Sequence, residues 1–366
     1  MSEPVRICVT TTSRTYDVLV GAGLLDELGR HLAAVLCPDV AFVVTDTNVG
    51  PLYLERACTS LREAGLKVAS VTIPAGESHK NLSTYGSILS AMAETHLTRS
   101  SLVVALGGGV VGDMAGFAAA TYMRGIPVVQ VPTTLLSMVD SSVGGKTAID
   151  LSVGKNLVGA FLQPSLVVAD VQTLSTLDPY VFADGMGEVV KHAVLADPTL
   201  FTSLEKRPVT QDADETYLCE VVANNIAIKR DVVATDEQER GLRQTLNLGH
   251  TIGHAIEAAG SYREGHGHCV AMGLCHIARA AERKGWAEPG LAQRVECCVA
   301  LQGLPIATDI APAEILGQAA HDKKRHGETI NVVVPTHIGA VEMRTIDFEQ
   351  FGELVELGRR PIQSEA

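Results

Sequence analysis

The first half of the chain alternates short apolar runs with longer amphipathic segments. The apolar runs are rich in Val, Ile and Leu on both faces, as in parallel strands buried between helices. Helical periodicity separates them, for example over residues 52–64, 83–94 and 114–120. The alternation predicts an α/β domain with a mainly parallel sheet. The predicted strands are residues 6–10, 40–45, 67–73, 101–106, 128–131 and 166–170.

After about residue 179 the pattern changes, because strand-like runs almost disappear. Helical periodicity covers residues 181–195, 215–235 and 246–259, and only 329–335 and 340–344 resemble strands. The predicted fold class is therefore α/β, with two domains. A Rossmann-like, mainly parallel N-terminal domain occupies residues 1–178, and a mostly α-helical C-terminal domain occupies residues 179–366.

Composition narrows the classes of function. The 29 Lys and Arg residues against 42 Asp and Glu residues give a formal net charge of −13, and no long basic run suggests nucleic-acid binding. No apolar run is long enough to span a bilayer, and the N-terminus lacks signal-peptide features. The eight scattered cysteines form no CxxC pair. We expect a cytoplasmic protein without a membrane or nucleic-acid partner, whose anionic ligands bind in a local basic pocket.

A glycine-rich turn follows the predicted strand at 101–106. Gly107, Gly109 and Gly112 fit G-x-G-x-x-G, which lets a backbone approach a pyrophosphate at a helix N-terminus. The acidic residue expected about 20 positions later is missing, because position 132 is Pro. The motif is therefore either a variant nucleotide-binding turn or a tight strand-to-helix connection.

Two further polar loops follow predicted strands. Asp46-Thr47-Asn48 follows one strand, and Pro74–Lys80, with Glu77 and Lys80, follows the next. Ligands of open α/β sheets bind at the carboxyl ends of strands. Each loop alone is typical of solvated surface, but together with the glycine turn they favour a nucleotide site.

Residues 141–147 resemble part of a P-loop. The position that should hold its leading glycine is Asp140, so an ATPase is disfavoured. Asp140, Lys146, Lys155 and Asn156 remain among several glycines. This arrangement suits either a phosphate or carboxylate site or a flexible surface loop.

The strongest signal is a polar series in an apolar segment. Arg243, Asn247, His250 and His254 are spaced by four, three and four residues, which predicts one stripe on a helix. Polar groups in such surroundings need partners or a ligand. The two histidines suit a metal, but Thr251 replaces the glutamate of a zinc protease.

Other metal ligands must come from elsewhere in the sequence. Glu188 and His266 are candidates, because one glutamate and two histidines leave an open position at a catalytic zinc ion. Spacing alone does not separate these residues from His192, His254 or His268.

These motifs in combination resemble the 3-dehydroquinate synthase family. The resemblance rests on residues 107–113, 140–147 with 154–156, 184–192, and 243–254 followed by His266-Gly267, and it extends over about residues 40–340. It implies a homodimeric lyase of the shikimate pathway that requires NAD and zinc, with cobalt as an alternative metal. Its substrate, 3-deoxy-arabino-heptulosonate 7-phosphate, undergoes transient oxidation, phosphate elimination, reduction and aldol closure.

The resemblance also implies roles for individual residues. The implied metal ligands are Glu188, His250 and His266. The implied NAD-binding residues are Asp46, Thr47, Asn48, Glu77, Lys80, Gly108, Gly109, Val110, Val111, Gly112, Asp113, Thr133, Thr134, Lys146, Lys155, Thr173 and Thr176. The implied catalytic and substrate-pocket residues are Asp140, Lys146, Lys155, Asn156, Lys191, Lys229, Arg243, Asn247 and His254, with Arg124 reaching the partner's site and Lys323 or Lys324 binding phosphate.

One position departs from the family pattern. His268 stands where the family commonly has an acidic residue, beside an implied metal ligand, as either a supporting partner or a competing ligand. Three alternatives remain open: another sugar-phosphate cyclase, a metal-dependent NAD alcohol or glycerol dehydrogenase of related fold, or a nucleotide-binding protein without activity. Lys229, Arg243 and Asn247 match the residues of the 3-dehydroquinate synthase family, which favours 3-deoxy-arabino-heptulosonate 7-phosphate as the substrate.

Overall fold

The computed structural model describes residues 3–319, 325–326 and 329–360. They form two compact units. The first unit contains the described residues up to Leu177 together with Asp212–Gln238, and the second contains Asp178–Gln211 and the described residues from Glu239 onwards. The sequence predicts a single domain boundary after residue 178, one residue from the point where the chain first passes from the first unit to the second. It places 212–238 with the C-terminal half, whereas this segment groups with the first unit.

The elements are numbered in chain order. The strands are β1 (Val5–Thr10), β2 (Thr15–Gly21), β3 (Val40–Asp46), β4 (Lys67–Ile73), β5 (Leu102–Gly107), β6 (Val128–Pro132), β7 (Lys146–Leu151), β8 (Gly154–Phe161), β9 (Leu166–Asp170), β10 (Arg325–His326), β11 (Thr329–His337) and β12 (Ala340–Asp347). The helices are α1 (Leu28–Ala33), α2 (Gly50–Glu63), α3 (Leu82–Glu94), α4 (Gly109–Thr121), α5 (Pro179–Ala196), α6 (Pro198–Leu204), α7 (Glu215–Thr235), α8 (His250–Ala259), α9 (His266–Arg283), α10 (Leu291–Leu301), α11 (Pro312–Ala319) and α12 (Phe348–Gly358).

The first unit is built on a seven-stranded sheet in the order β1-β2-β9-β6-β5-β3-β4. All neighbouring strands are parallel except β1 and β2, which pair antiparallel. The predicted α/β class and mainly parallel sheet are confirmed. The prediction of β1 as a parallel strand buried on both faces is wrong. Its sequence pairs with β2 at the sheet edge, where alternate side chains face solvent.

Helices cover both faces of this sheet. Alternate residues of β3 point to opposite sides: Ala41 and Val43 pack with α1 and α2, whereas Phe42 and Val44 pack with α3 and α4. This period of two is the geometric property of a strand. Burial on both sides explains why the central strands read as continuous apolar runs.

The strand order reverses between β3 and β5. The chain runs outward from β3 to β4 and then returns to add β5, β6 and β9 on the other side of β3. In open α/β sheets, such a switch point opens a crevice at the carboxyl ends of the strands. The fold therefore brings the segment after Asp46 and the glycine turn after β5 to the same edge of the sheet.

Four strands were not predicted: β2, β7, β8 and the two-residue β10. The hairpin of β7 and β8 pairs antiparallel apart from the main sheet, and most of β8 is at least partly exposed. Its glycine-rich and polar composition resembles a loop, because cross-strand pairing rather than propensity defines it. Lys146 and Lys155 thus lie on strands, not on a flexible loop.

The second unit is mainly helical, as predicted. Helix α9 is almost completely buried and contacts α5, α8, α10 and α12. The predicted late hairpin is confirmed, because β11 and β12 pair antiparallel. Within the described ranges, no helix is both long and apolar enough to cross a bilayer.

The predicted helix over residues 246–259 begins later than expected, at His250. Arg243 and Asn247 belong to a 3₁₀ turn, Leu242–Asn247, and Gly249 adopts a φ of +77°. A left-handed residue interrupts a right-handed helix. The prediction of one continuous helical stripe is therefore wrong, and only His250 and His254 share a face of α8.

Glu237 fixes the chain just after α7. Its carboxylate accepts hydrogen bonds from the hydroxyl groups of Thr12 and Ser13, from the Ser13 amide at 3.1 Å and from Gln163 Nε2 at 2.9 Å. Burial raises the pKa of Glu237, but these hydrogen bonds outweigh it and lower the pKa to about 2. The ionised carboxylate therefore stabilises the first unit.

We expect Glu237→Gln to lower the unfolding free energy of the first unit by about 1 kcal/mol at pH 7, or about 2–4 °C in melting temperature. Because the folded pKa lies below the unfolded one, this contribution is complete above the unfolded pKa and is lost as pH falls toward 2. Thermal melts followed by circular dichroism should show that the difference in melting temperature between the variant and the unsubstituted protein narrows below about pH 5. Glu55→Gln, which breaks an exposed ion pair with Arg62, is the control and should change little. A difference in melting temperature that does not depend on pH would contradict the stabilising role of the ionised Glu237 carboxylate.

Candidate active site

The glycine turn joins β5 to α4. Helix α4 begins at Gly109, and its N-cap, Gly108, has no side chain to cover the terminal amides. A Cβ atom at Gly112 would lie 2.9 Å from Gln130 Oε1 on β6. The third glycine of the motif thus allows close packing of helix on strand, while the first turn leaves N–H groups for an anion. Val110, Val111 and Asp113 lie in this turn and the next.

The loops after β3 and β4 are tied together. Thr47 donates its amide to the Ile73 carbonyl at 3.0 Å, and the Ala75 amide donates to Thr47 Oγ1 at 3.1 Å. Asp46 Oδ1 accepts the amides of Asn48 and Val49, both at 2.8 Å, and so holds the turn that precedes α2. The structure therefore brings the two polar loops together at one edge of the sheet.

Threonines follow the next strands along this edge. Thr133 comes directly after β6, and its amide donates to the Gly107 carbonyl at 3.0 Å. Its hydroxyl is buried, with no hydrogen-bond partner among the described residues. Thr134 instead exchanges hydrogen bonds with Ser137. A buried hydroxyl without a partner beside an open helix N-terminus fits a polar ligand such as NAD.

Thr173 and Thr176 lie in the 3₁₀ segment that follows β9, Val171–Thr176. The Thr173 hydroxyl donates to the Asp170 carbonyl at 2.8 Å, and the Thr176 hydroxyl lies 2.7 Å from Tyr53 Oη. Both side chains therefore have structural partners of their own.

Lys80 is a buried lysine in the first unit with polar partners that are partly or fully exposed. Its Nζ donates to Asp113 Oδ2 at 2.6 Å and to Asn156 Oδ1 at 2.5 Å. Burial lowers the pKa of Lys80, but Asp113 and Glu77 outweigh it, so the pKa lies above its ordinary value. Lys155 Nζ lies 3.6 Å from Glu77. Lys80, Asp113 and Asn156 thus form one hydrogen-bonded group, and Lys155 and Glu77 form a separate ion pair.

Asp140 and Lys229 form a second ion pair in the first unit. Asp140 lies in a π-helical turn, and Lys229 Nζ on α7 donates to its Oδ1 at 2.6 Å and to its backbone carbonyl. Lys229 is buried, whereas Lys146, at the start of β7, is exposed. Arg124 is exposed in a tight turn with a φ of +70°.

Glu188 is the centre of the polar group in the second unit. It is fully buried on α5, and Lys191 Nζ lies 2.5 Å from its Oε2. Its other oxygen, Oε1, faces His250 Nε2 at 3.3 Å and His266 Nε2 at 3.6 Å. Three donor atoms from three helices, α5, α8 and α9, therefore converge on one point.

The outer nitrogens of both imidazoles are anchored. His250 Nδ1 lies 3.1 Å from the Leu248 carbonyl, and His266 Nδ1 lies 3.3 Å from Glu257 Oε2. Metal-binding histidines characteristically use this nitrogen for such a partner. A tetrahedral ion with bonds of about 2.0–2.1 Å separates its donors by about 3.3 Å. The residues therefore fit a divalent metal, and we refer to Glu188, His250 and His266 as the candidate metal centre, shortened below to the metal centre.

The electrostatics of the metal centre favour a cation. Burial raises the pKa of Glu188, but Lys191 and His250 outweigh it and hold the pKa well below its ordinary range. Burial lowers the pKa of His266, but Glu188 and Glu257 outweigh it and raise the pKa to about 10. The same negative field would attract a metal cation, which would take the place of the proton on the imidazole.

The other predicted residues of the second unit lie nearby. Lys191 Nζ also donates to the Leu246 carbonyl at 2.9 Å, and Arg243 is buried. The ring of His254 lies 5.2 Å from that of His250, and one donor atom each of His250, His254 and His266 lie within 4.8 Å of one another. Geometry therefore leaves His254 as an alternative ligand.

Two acidic residues escaped the sequence analysis. Glu257, the partner of His266, lies seven residues after His250, so the face carrying His250 and His254 extends one turn further. Glu239 accepts a hydrogen bond from Asn247 Nδ2 at 3.2 Å and has a φ of +59°. A positive φ in a non-glycine residue marks a constrained position, and sequence gave no sign of it.

His268 contacts residues outside the metal centre. Its Nδ1 lies 2.9 Å from Asp184 Oδ1, and its ring stacks on Tyr180 at 4.1 Å. Among described residues, the donor groups close enough to share an ion do not include His268. Of the two hypotheses for His268, the contacts favour a supporting partner. Lys323 and Lys324 lie outside the described residues.

Comparison with known proteins decides the family. Models of the 3-dehydroquinate synthase N-terminal and C-terminal domains match residues 70–184 and 185–325. A 3-dehydroquinate synthase from Geobacter sp. (strain M21) is 44% identical over 355 residues, covering 96% of this chain and 98% of the relative. The chain belongs to the 3-dehydroquinate synthase family. It is therefore an enzyme of the cyclase and lyase type.

The fold is also similar to that of solved cyclase structures. A 2-deoxy-scyllo-inosose synthase complexed with carbaglucose-6-phosphate, NAD⁺ and Co²⁺ superposes with a TM-score of 0.86 at 25% identity, covering 96% of this chain and 99% of that one. A 2-epi-5-epi-valiolone synthase from Streptomyces hygroscopicus subsp. jinggangensis 5008, with NAD⁺ and Zn²⁺ bound, gives 0.83 at 26% identity, covering 95% and 97%.

We expect His250→Ala to weaken zinc binding by at least about 100-fold, because it removes a direct ligand rather than a supporting group. Competition with a chromophoric chelator measures the affinity, and circular dichroism should show an intact fold. His254→Ala is the discriminating variant: it should keep most of the zinc affinity. Zinc binding retained in His250→Ala, or lost in His254→Ala alone, would overturn the ligand assignment.

Proposed function

We propose that this chain converts 3-deoxy-arabino-heptulosonate 7-phosphate to 3-dehydroquinate and phosphate, and that the reaction requires NAD and a divalent metal. Membership of the 3-dehydroquinate synthase family supports the reaction. The observation that supports the chemistry most directly is the metal centre, in which one carboxylate and two anchored imidazoles converge.

The residues present suit both groups. Bound NAD⁺ supplies reversible hydride transfer, and a bound metal supplies polarisation of a substrate oxygen. Glu188, His250 and His266 would hold the metal. The glycine turn and the buried hydroxyl of Thr133 would receive NAD, together with the loops that follow β3 and β4.

The remaining predicted residues would bind the anionic substrate. A carboxylate and a phosphate need cationic partners, and a chain with a net charge of −13 must supply them locally. The proposed substrate residues are Asp140, Lys146, Lys155, Asn156, Lys191, Lys229, Arg243, Asn247 and His254. Asp140 and Lys155 would orient reacting hydroxyl groups, while His254 and Lys146 would bind the phosphate or carry protons.

Lys191 and Lys229 are already held in ion pairs with carboxylates, at 2.5 Å and 2.6 Å. Their ammonium groups are therefore fixed before any ligand binds, which reduces the ordering cost of binding. A neutral polyol, the substrate of a dehydrogenase of related fold, would not need Lys146, Lys155 and Arg243 in addition to these two lysines, so the cationic residues favour an anionic substrate.

We expect the chelated protein to release phosphate from 3-deoxy-arabino-heptulosonate 7-phosphate only when both NAD and zinc or cobalt are restored. Because the hydride returns to the product, absorbance at the NADH wavelength should show no net accumulation. Build-up of NADH without phosphate release would instead establish a dehydrogenase. No release from this substrate, but release from another sugar phosphate, would establish a different cyclase.

We also propose that the enzyme is a cytoplasmic homodimer in which Arg124 serves the partner's site. Arg124 is exposed at the tip of a turn where both it and Met123 have positive φ. Holding two successive non-glycine residues in this region costs free energy, which a binding role at the turn would explain.

A mixed dimer tests this role of Arg124. The homodimers of Arg124→Ala and His250→Ala should both be inactive. In a mixed dimer, one site would then carry both defects and the other neither, so coexpression with random pairing should restore about one quarter of the sites. No recovery, with mixed dimers verified by two affinity tags, would mean that Arg124 acts within its own subunit.

A further inference from the structure

The first turn of α9 is held against α5 by three side chains, Tyr180, Asp184 and His268, which we call the Asp184 cluster. Asp184 Oδ1 accepts the backbone amide of His268 at 3.0 Å and lies 2.9 Å from its ring Nδ1. The His268 ring stacks on Tyr180 with an angle of 17° between the planes. His268 is 5% exposed, so its ring is largely shielded from water, whereas Tyr180 is 45% exposed.

Asp184 performs the role of an N-cap from another helix. The N-cap of α9 is Gly265, which has no side chain to accept a terminal amide. A carboxylate at this position satisfies an otherwise unpaired N–H group and complements the positive end of the helix dipole. The Tyr180 hydroxyl adds a second anchor by accepting the Gly265 amide at 2.8 Å.

The backbones of α5 and α9 approach unusually closely at this point. A Cβ atom at Gly267 would fall well inside contact distance of the Asp184 carbonyl, and one at Gly187 would collide with the Gly267 carbonyl. Both positions therefore require glycine. The separation of the two helices is set by backbone contact, and the Asp184 cluster holds that contact in place.

The metal centre lies one helical turn away. Asp184 and Glu188 are four residues apart and share one face of α5, while His266 and His268 both lie in the first turn of α9. Two contacts therefore join α5 to the first turn of α9: that of Asp184 with His268, and that of Glu188 Oε1 with His266 Nε2 at 3.6 Å. Movement of the first turn of α9 would change this second distance directly.

We propose that His268 is a positioning residue for the metal centre, which acts through His266 and is not itself a ligand. This inference rests on the proposed function, because it takes Glu188, His250 and His266 as the ligands. His268 contributes a ring nitrogen to Asp184 and a stacked face to Tyr180. Together these contacts fix the turn that presents His266.

The test measures zinc affinity rather than turnover. His268→Ala should raise the zinc dissociation constant by about 10–100-fold, the range for groups that orient metal ligands. His268→Asn should recover most of this loss, because the amide nitrogen of Asn occupies nearly the position of Nδ1. Tyr180→Leu, at a position 45% exposed, removes both the stack and the hydroxyl that accepts the Gly265 amide, but it keeps the contact of His268 with Asp184 and should weaken zinc binding less than His268→Ala.

His276→Ala is the matched control on the same helix. His276 is also buried, and its Nε2 lies 2.7 Å from the Val355 carbonyl on α12. Its loss should lower the melting temperature while leaving the zinc dissociation constant unchanged. In cobalt-loaded protein, the visible spectrum should change in His268→Ala and return in His268→Asn, but stay unchanged in His276→Ala.

The outcomes separate this proposal from the metal assignment. If His268→Ala binds zinc as tightly as the unsubstituted protein while His266→Ala does not, the positioning role is wrong and the metal centre stands. Equal weakening in His268→Ala and His276→Ala would reduce the effect to general packing and also overturn the proposal. If His266→Ala binds zinc normally, the metal centre itself is wrong, and the positioning role fails with it.

Discussion

The burial of one carboxylate governs the second unit. Glu188 has no exposed surface, and an isolated charge in such a position is costly enough that it must be compensated. Lys191 compensates one oxygen, while His250 and His266 face the other. These groups come from α5, α8 and α9. The charge of Glu188 is therefore compensated only when the three helices pack in this arrangement. A divalent cation would satisfy that constraint, since it would add positive charge where the donors converge.

The first unit meets a different requirement, which is to leave polar groups available at one edge of a sheet. Parallel strands place their carboxyl ends together, and the reversal of strand order between β3 and β5 opens that edge. Glycines at the start of α4 leave backbone amides uncovered, whereas Lys80, Asp113 and Asn156 bind one another beside them. Fixed charges and available backbone donors thus coexist, which suits a dinucleotide and an anionic substrate.

Much of this could be predicted from sequence where local pattern and tertiary role agree. The buried central strands were recognised because apolar runs report burial on both faces, as in β3 and β5. The hairpin of β7 and β8 was missed because cross-strand pairing, not composition, defines it. The stripe from Arg243 to His254 suggested a ligand site, but Gly249 breaks the helix, and only three-dimensional packing reveals it. The structural role of Asp184 likewise depends on a residue distant in sequence, His268, and that of Glu257 depends on how the loop after α8 brings His266 back to it.

X-ray absorption at the zinc edge of the loaded, unsubstituted protein tests the central claim most directly, because it counts the atoms bound to the metal. The account predicts one carboxylate oxygen and two imidazole nitrogens as protein ligands, at about 2.0–2.2 Å. The outer-shell scattering of two imidazole rings should accompany them. Three imidazoles without a carboxylate would mean that His254 replaces Glu188 as a ligand, and would contradict the account.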